Sequence, residues 1–176
     1  MSDEQSPPPT ESEEADLFLN GDFNDLRGPA TRKLQLLRLG ALLLGVFEDE
    51  IATIAEWRQP TPLPHAPAAV LGVVSVQGRV LTVLDPSLLL GQTANQNGFA
   101  WRYIVALRGD EQLALAIEDK GETLALQVSD LNSPPATASR AVLGAMSHGD
   151  QLISVIETKE LFPTAILGRE RRQRRF

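Results

Sequence analysis

The sequence predicts a mainly β fold of two related subdomains, and three observations carry that prediction. Leu71–Leu90 (LGVVSVQGRVLTVLDPSLLL) and Leu143–Phe162 (LGAMSHGDQLISVIETKELF) run in register, without gaps, at a constant offset of 72 residues. Elsewhere apolar residues alternate with a period of two, the pattern of strands with one buried face. Gly and Pro punctuate these short runs in the manner of barrels and sandwiches.

Taken in order, Leu34–Leu39 and Leu42–Phe47 flank Gly40-Ala41 and read as a hairpin. Within 48–57, Ile51, Ile54 and Ala55 stand at helical spacing, which predicts a short helix. The next ten residues, RQPTPLPHAP, hold four prolines and read as a rigid crossing loop. The first copy of the repeat then reads as strand, tight turn at Gln77-Gly78, strand, and a short helix with Asp85 as N-cap and Pro86 at its first position. Trp101, Tyr103, Val105 and Leu107 alternate with Arg102, Ile104 and Ala106, predicting a half-buried strand. Arg108–Glu111 turns the chain into the apolar run Leu113–Ile117. Leu124, Leu126 and Val128 alternate again after Gly121. The second copy turns at His148-Gly149-Asp150, and its helix, opened at Thr158, is expected to stop at Pro163. A weaker echo, Val46–Asp49 against Ala116–Asp119, precedes each copy. Two barrels this small have little core of their own and are expected to pack together.

The formal net charge of −7 over 176 residues is unevenly distributed. Residues 1–25 carry eight acids and no base, and the last eight residues carry five arginines against Glu170. The domain organisation expected is an acidic, disordered leader over 1–30, a folded body over 31–165 and a basic tail over 166–176. Leu17, Phe18, Leu19, Phe23 and Leu26 interrupt the leader's acids, consistent either with a plain tether or with a motif that orders on a partner. No apolar run is long enough for a membrane span and the N-terminus lacks a signal-peptide core, so a cytoplasmic protein without membrane insertion is expected.

The same composition narrows the chemistry. Without Cys there is no disulfide, thiolate nucleophile or cysteine-bound metal, and two histidines, His65 and His148, leave little for a triad or a metal site. Leu81–Asp85 resembles one arm of an aspartic protease, but Pro86-Ser87 follows where a small residue and Gly are needed, so Asp85 reads as a helix cap. Glu118 and Asp119 read as turn residues, since neighbours on a strand point to opposite faces. No phosphate-binding or dinucleotide fingerprint occurs. The arginine tail could meet an anionic surface, but the acidic body lacks the basic and aromatic strip of a single-strand binder, so no nucleic acid is expected. Catalytic residues, metal and cofactors are all expected to be none.

The stretch 62–91, PLPHAPAAVLGVVSVQGRVLTVLDPSLLLG, and the preceding IATIAEWR of 51–58 carry a family resemblance. A proline-bounded loop, a strand with Gly-Val, a turn ending in Gly and an apolar strand ending in Asp follow one another. Leu34 through Phe162 resembles the CheW-like domain of bacterial chemosensory adaptors, most specifically in its first half. The resemblance implies two intertwined, five-stranded, SH3-like β-barrel subdomains with short helices. It also implies a non-enzymatic scaffold joining the cytoplasmic tips of chemoreceptors to the CheW-like regulatory domain of a chemosensory histidine kinase, in membrane-associated arrays. Carried over by position, the helix-associated Ile54, Glu56 and Arg58, together with Gly72, Val76 and Gln77, lie where family members meet their partners. For Ile54, Gly72 and Val76, barrel core or turn geometry is an equal reading. Ser75 and Gln77 stand where the family's turn has Asn and Arg, and Asp85-Pro86-Ser87 where it has Asp-Leu-Arg. Gln cannot supply the arginine's charge, and Arg79 is the nearest substitute.

Overall fold

The computed structural model describes residues 31–92, 100–109 and 111–166. The expected leader over 1–30, and the tail beyond Ile166, lie outside the described residues. Ten strands form two five-stranded sheets. The first repeat supplies β1 (Thr31–Leu39), β2 (Leu42–Phe47), β3 (Ile51–Glu56), β4 (Val70–Val76) and β5 (Arg79–Leu84). The second supplies β6 (Tyr103–Leu107), β7 (Leu113–Ile117), β8 (Asp119–Gln127), β9 (Val142–His148) and β10 (Gln151–Ile156). No helix among the described residues is long and apolar enough to cross a membrane.

Strand orders are β8-β1-β2-β10-β9 in one sheet and β3-β6-β7-β5-β4 in the other. Under the 72-residue offset, β1–β5 correspond to β6–β10, and the two orders match strand for strand. Each sheet therefore combines the opening hairpin of one repeat with the last three strands of the other, which is how the subdomains intertwine. Even the parallel strand pairs correspond, β2 with β10 in one sheet (Leu43↔Ile153) and β7 with β5 in the other (Leu113↔Thr82), though their residue registers differ. No ladder closes either sheet among the described residues. A single antiparallel bridge joins the segment after β3 to β4 at Thr61↔Val73, and its counterpart after β8 joins β9 at Asn132↔Ala145.

The cores follow from this exchange. Val74, Leu81, Val83, Ile104 and Ala114 belong to a core private to the β3–β7 sheet. Leu34, Phe47, Leu126, Ile153 and Val155 form the private core of the other. A third and largest core, with Leu37, Leu44, Leu84, Val105, Leu115 and Ile156, draws on both sheets. The central strands are buried on both faces. In β6, Ile104 and Ala106 face the private core while Val105 and Leu107 face the shared one. The half-buried strand expected there is thus buried throughout beyond Tyr103.

Two expectations need correction. Residues 48–57 do not form a helix: a 3-10 turn at Glu48–Glu50 leads into β3. Its β-branched Ile51, Thr53 and Ile54 favour extended backbone. A register shift between Ile51 and Thr53 opposite β6 lets Ile51 and Ile54 both meet the shared core, so a bulge generated the apparent helical spacing. Pro163 does not stop the last helix, which runs over 161–166. Proline is tolerated in a first turn, where its missing N–H costs no helical bond.

The capping prediction fits the structure. The short helix α1 (Pro86–Leu89) has Asp85 as N-cap, and its buried carboxylate accepts from Ser87 N–H at 2.9 Å and Ser87 Oγ–H at 2.6 Å. Asp85→Ala leaves both donors unpaired in a buried place and is expected to lower stability by about 1–3 kcal/mol. Urea denaturation checks this, and an unchanged midpoint would contradict the capping role.

Candidate partner-docking surfaces

The seven residues expected at a partner surface fall on or just beyond the edge strands β3 and β4 of the β3–β7 sheet, except Arg79, which begins the neighbouring β5. Ile54 and Glu56 lie on β3, the first half-buried against the shared core and the second exposed. Trp57 follows, its ring centroid 6.0 Å from that of Trp101 and its backbone N–H donating to Arg102 O at 2.8 Å. Arg58 is exposed beyond it. Val76 is buried in the sheet's private core, whereas Gln77 and Arg79 are exposed at the β4–β5 turn. Glu56, Arg58 and Arg79 make no ion pair with another described residue, so three charges stand open to solvent.

Strand pairing across the sheet separates these groups, and the crossing loop runs from one to the other edge. Glu56 pairs with Tyr103, which pairs with Ile117, while Thr82, past the middle of β5, is level with Leu113 at the other end of β7. The proline loop then carries the chain from Arg58 back to β4, where Thr61 and Val73 exchange backbone hydrogen bonds of 2.8 and 2.9 Å. Gly72 lies beneath this crossing at φ +140, and a Cβ there would come 2.3 Å from Thr61 O. Its buried position belongs to the architecture of the crossing. At the tip, Gln77 (φ 50) and Gly78 (φ 77) both occupy the left-handed region that a two-residue hairpin turn demands.

Sequence reasoning missed two apolar surfaces. Val80 is 58% exposed and Leu152 63% exposed, at equivalent positions of the two repeated hairpins. Comparing the copies for exposed as well as buried apolar positions would have shown them. The second is a groove of about 290 Å³ between the proline loop and the helical turn 161–166, lined by Leu63, Pro67, Val70, Phe162, Ala165 and Ile166 among others. Among the described residues that line it, Thr82 supplies the only polar side chain. Its components are far apart in sequence, and no local pattern announces it.

A larger cleft, of about 410 Å³, opens among Asp49, Glu50, Arg108, Glu111, Thr158 and Lys159. Several of its polar groups are already engaged. Arg32 lies 3.6 Å from the centre of the Phe47 ring and hydrogen-bonds Asp49 at 2.7 Å and Glu50 at 3.0 Å. Burial acts to lower the Arg32 pKa, but its bonds to these two carboxylates prevail and hold it above the usual value. Glu50 also accepts from Thr158 Oγ1 at 2.9 Å, and Arg108 Nε donates to Ile51 O at 3.0 Å. The carboxylates weighed as catalytic pairs are occupied likewise. Glu118 accepts from Gly40 N–H at 2.8 Å, and Asp119 from Lys120 N–H at 2.9 Å. Among the described residues no group of three or more His, Asp or Glu is arranged to hold a metal. The geometry offers surfaces for side-chain burial and charge pairing.

Comparison with known proteins agrees with this architecture. The profile described as the CheW-like domain matches residues 33–165. The chain is 29% identical over 137 residues to the chemotaxis protein CheW of Rhizobium meliloti (strain 1021), covering 76% of this chain and 88% of that protein. It is 27% identical over 133 residues to the protein FrzA of Myxococcus xanthus, covering 73% and 83%. The crystal structure of the scaffolding protein TtCheW from Thermoanaerobacter tengcongensis superposes with a TM-score of 0.65 at 20% identity, covering 76% of this chain and 93% of that one, a likeness of fold. On a family match spanning most of its length, the chain belongs to the CheW-like domain family.

Proposed function

We propose that this chain is a non-enzymatic adaptor that couples chemoreceptor cytoplasmic tips to the CheW-like regulatory domain of a chemosensory histidine kinase. The observation that carries the reading is the pair of equivalent hairpins, each exposing one large apolar residue, Val80 and Leu152. A partner domain built from the same duplicated unit would present matching hairpins, so each subdomain of the adaptor can bury its apolar residue against a kinase domain. The two curled sheets, with a bridge between the edges of each, are read as SH3-like barrels, and the adaptor is assigned to cytoplasmic, membrane-associated arrays. Glu56, Arg58 and Arg79 supply open charges beside the first hairpin, and Ile54, Gly72 and Val76 support that surface from within.

Titration with the kinase's CheW-like domain tests the proposal, with a complex expected at tens of micromolar. Val80→Glu and Leu152→Glu should each weaken it about tenfold or more, since burying such an apolar side chain is worth roughly 1.5–3 kcal/mol and a charge in its place opposes burial. Both residues are exposed, so the fold should survive. Absence of any complex in that range would overturn the reading.

Gln77 favours a second version, an adaptor of an atypical chemosensory system (pilus motility, polarity or development) whose receptor contact has changed. Gln77→Arg should then increase co-sedimentation with ordinary receptor tips, and no gain removes this version.

A further inference from the structure

We propose that Arg79 and Asp150 are the charges that select what each repeated hairpin docks against. The Val80 hairpin takes a partner hairpin with a carboxylate beside its apolar residue, and the Leu152 hairpin takes one with a cation. This rests on the adaptor reading and names the partner chemistry of each hairpin. Among the described residues, Val80 and Leu152 are the two most exposed large apolar side chains, and the repeat puts them at equivalent positions. The tips that carry them differ in charge. Val76-Gln77-Gly78-Arg79-Val80 holds one cation, whereas His148-Gly149-Asp150-Gln151-Leu152 holds one carboxylate and a histidine.

Neither charge is engaged within the described fold. Arg79 and Asp150 are exposed and make no ion pair with another described residue. At the second tip His148 Nε2 stands 3.2 Å from Glu122 Oε1, so these two engage each other and Asp150 is left as the open charge. Turn geometry does not call for either residue. The positive φ of the first turn falls on Gln77 and Gly78 (50 and 77), and that of the second on Gly149 (60).

Position lets both charges act on whatever covers the apolar residues. Consecutive Cα atoms are about 3.8 Å apart, so Arg79 adjoins Val80, and the Asp150 backbone lies within about 8 Å of Leu152. Both distances fall inside the Debye length, about 10 Å at 0.1 M salt. Neighbours on a strand face opposite ways, so Arg79 stands at the rim of a contact made by Val80. A rim charge acts mainly on the rate of encounter and the choice of partner, while burial of the apolar residue holds the complex. Hairpins of like charge oppose each other across such a contact, and hairpins of opposite charge attract. The fitting partner is therefore acidic where it meets Val80 and basic where it meets Leu152.

Titration of the full chain with the kinase's CheW-like domain tests this one hairpin at a time, with Arg79→Glu in a Leu152→Glu background and Asp150→Lys in a Val80→Glu background. At about 0.05 M salt each reversal should weaken binding roughly fivefold to tenfold, chiefly through slower association. At about 0.5 M the loss should shrink below about twofold. Val80→Ser and Leu152→Ser should instead weaken binding alike at both salt concentrations. Changing the partner's carboxylate opposite Val80 to Lys should restore binding to Arg79→Glu and leave Asp150→Lys weak. Unchanged association after both reversals overturns the inference, and so does a weakening that salt leaves intact. Association between copies that either reversal abolishes and the two together restore, with kinase-domain binding unaffected, overturns it in favour of a second copy. Indifference to the reversals while the kinase-domain complex still forms sinks this inference alone; absence of any complex removes the adaptor reading as well.

Discussion

Gly72→Ala is expected to lower stability by about 3–4 kcal/mol, out of proportion to the addition of one methyl group. Two independent costs combine. The backbone sits at φ +140, where an L side chain is strained, and the new Cβ would lie 2.3 Å from Thr61 O and 2.7 Å from Thr61 C. Those atoms belong to a backbone segment held by two hydrogen bonds to Val73, so they cannot swing aside as a flexible side chain would. Gly144, the equivalent residue of the second repeat, is the internal control. A Cβ there would meet Asn132 O and Leu131 Cβ at 3.0 Å, without positive φ. Gly144→Ala should therefore cost about 1–2 kcal/mol. Chemical denaturation of the two variants checks the difference; equal midpoints would refute the crossing's special tightness. Lost partner binding in a Gly72 variant would then trace to a displaced proline loop.

Much of this fold is legible in the sequence because its information is local and stated twice. The turns at Gly78 and Gly149, and the Asp85-Pro86 cap, each depend on residues a few positions apart. β3 imitates a helix in the sequence because a bulge moves Ile54 onto the face of Ile51, producing a helical step with strand geometry. The sequences of β6 and β7 look alternating or merely apolar, although both faces are buried. That burial depends on which hairpin is exchanged into which sheet, and no local pattern encodes the exchange. Of the residues expected at a partner surface, the polar ones, Glu56, Arg58, Gln77 and Arg79, are exposed, as their polar character implies. Gly72 and Val76 carry family motifs yet are buried, for reasons visible only when Thr61 is seen against Val73. The Leu63–Phe162 groove joins residues about a hundred positions apart and leaves no trace in local spacing.

The exchanged hairpins also predict how the protein unfolds. Leu34 lies in the private core of the sheet that contains β1, is fully buried, and covers Gly45, where an added Cβ would fall 2.7 Å from Leu34 Cδ2. Leu34→Ala removes that cover and should cost about 3–5 kcal/mol. Both tryptophans, Trp57 and Trp101, pack against the private core of the other sheet. If each sheet folded as an independent barrel, their fluorescence would not register the substitution. They should register it fully, for three reasons. Neither sheet contains a complete repeat, so neither can form from one half of the chain. β1 and β2 place Leu37, Leu39, Leu44 and Val46 in the shared core beside Val105, Leu107 and Leu115 of the other sheet. Loosening β1 therefore opens the core that supports Trp101 as well. Urea transitions followed by tryptophan fluorescence and by far-ultraviolet circular dichroism should shift together, with one midpoint between them, as a two-state domain requires. A fluorescence midpoint unmoved by Leu34→Ala would mean that the private cores hold the two sheets separately, despite their crossed connections.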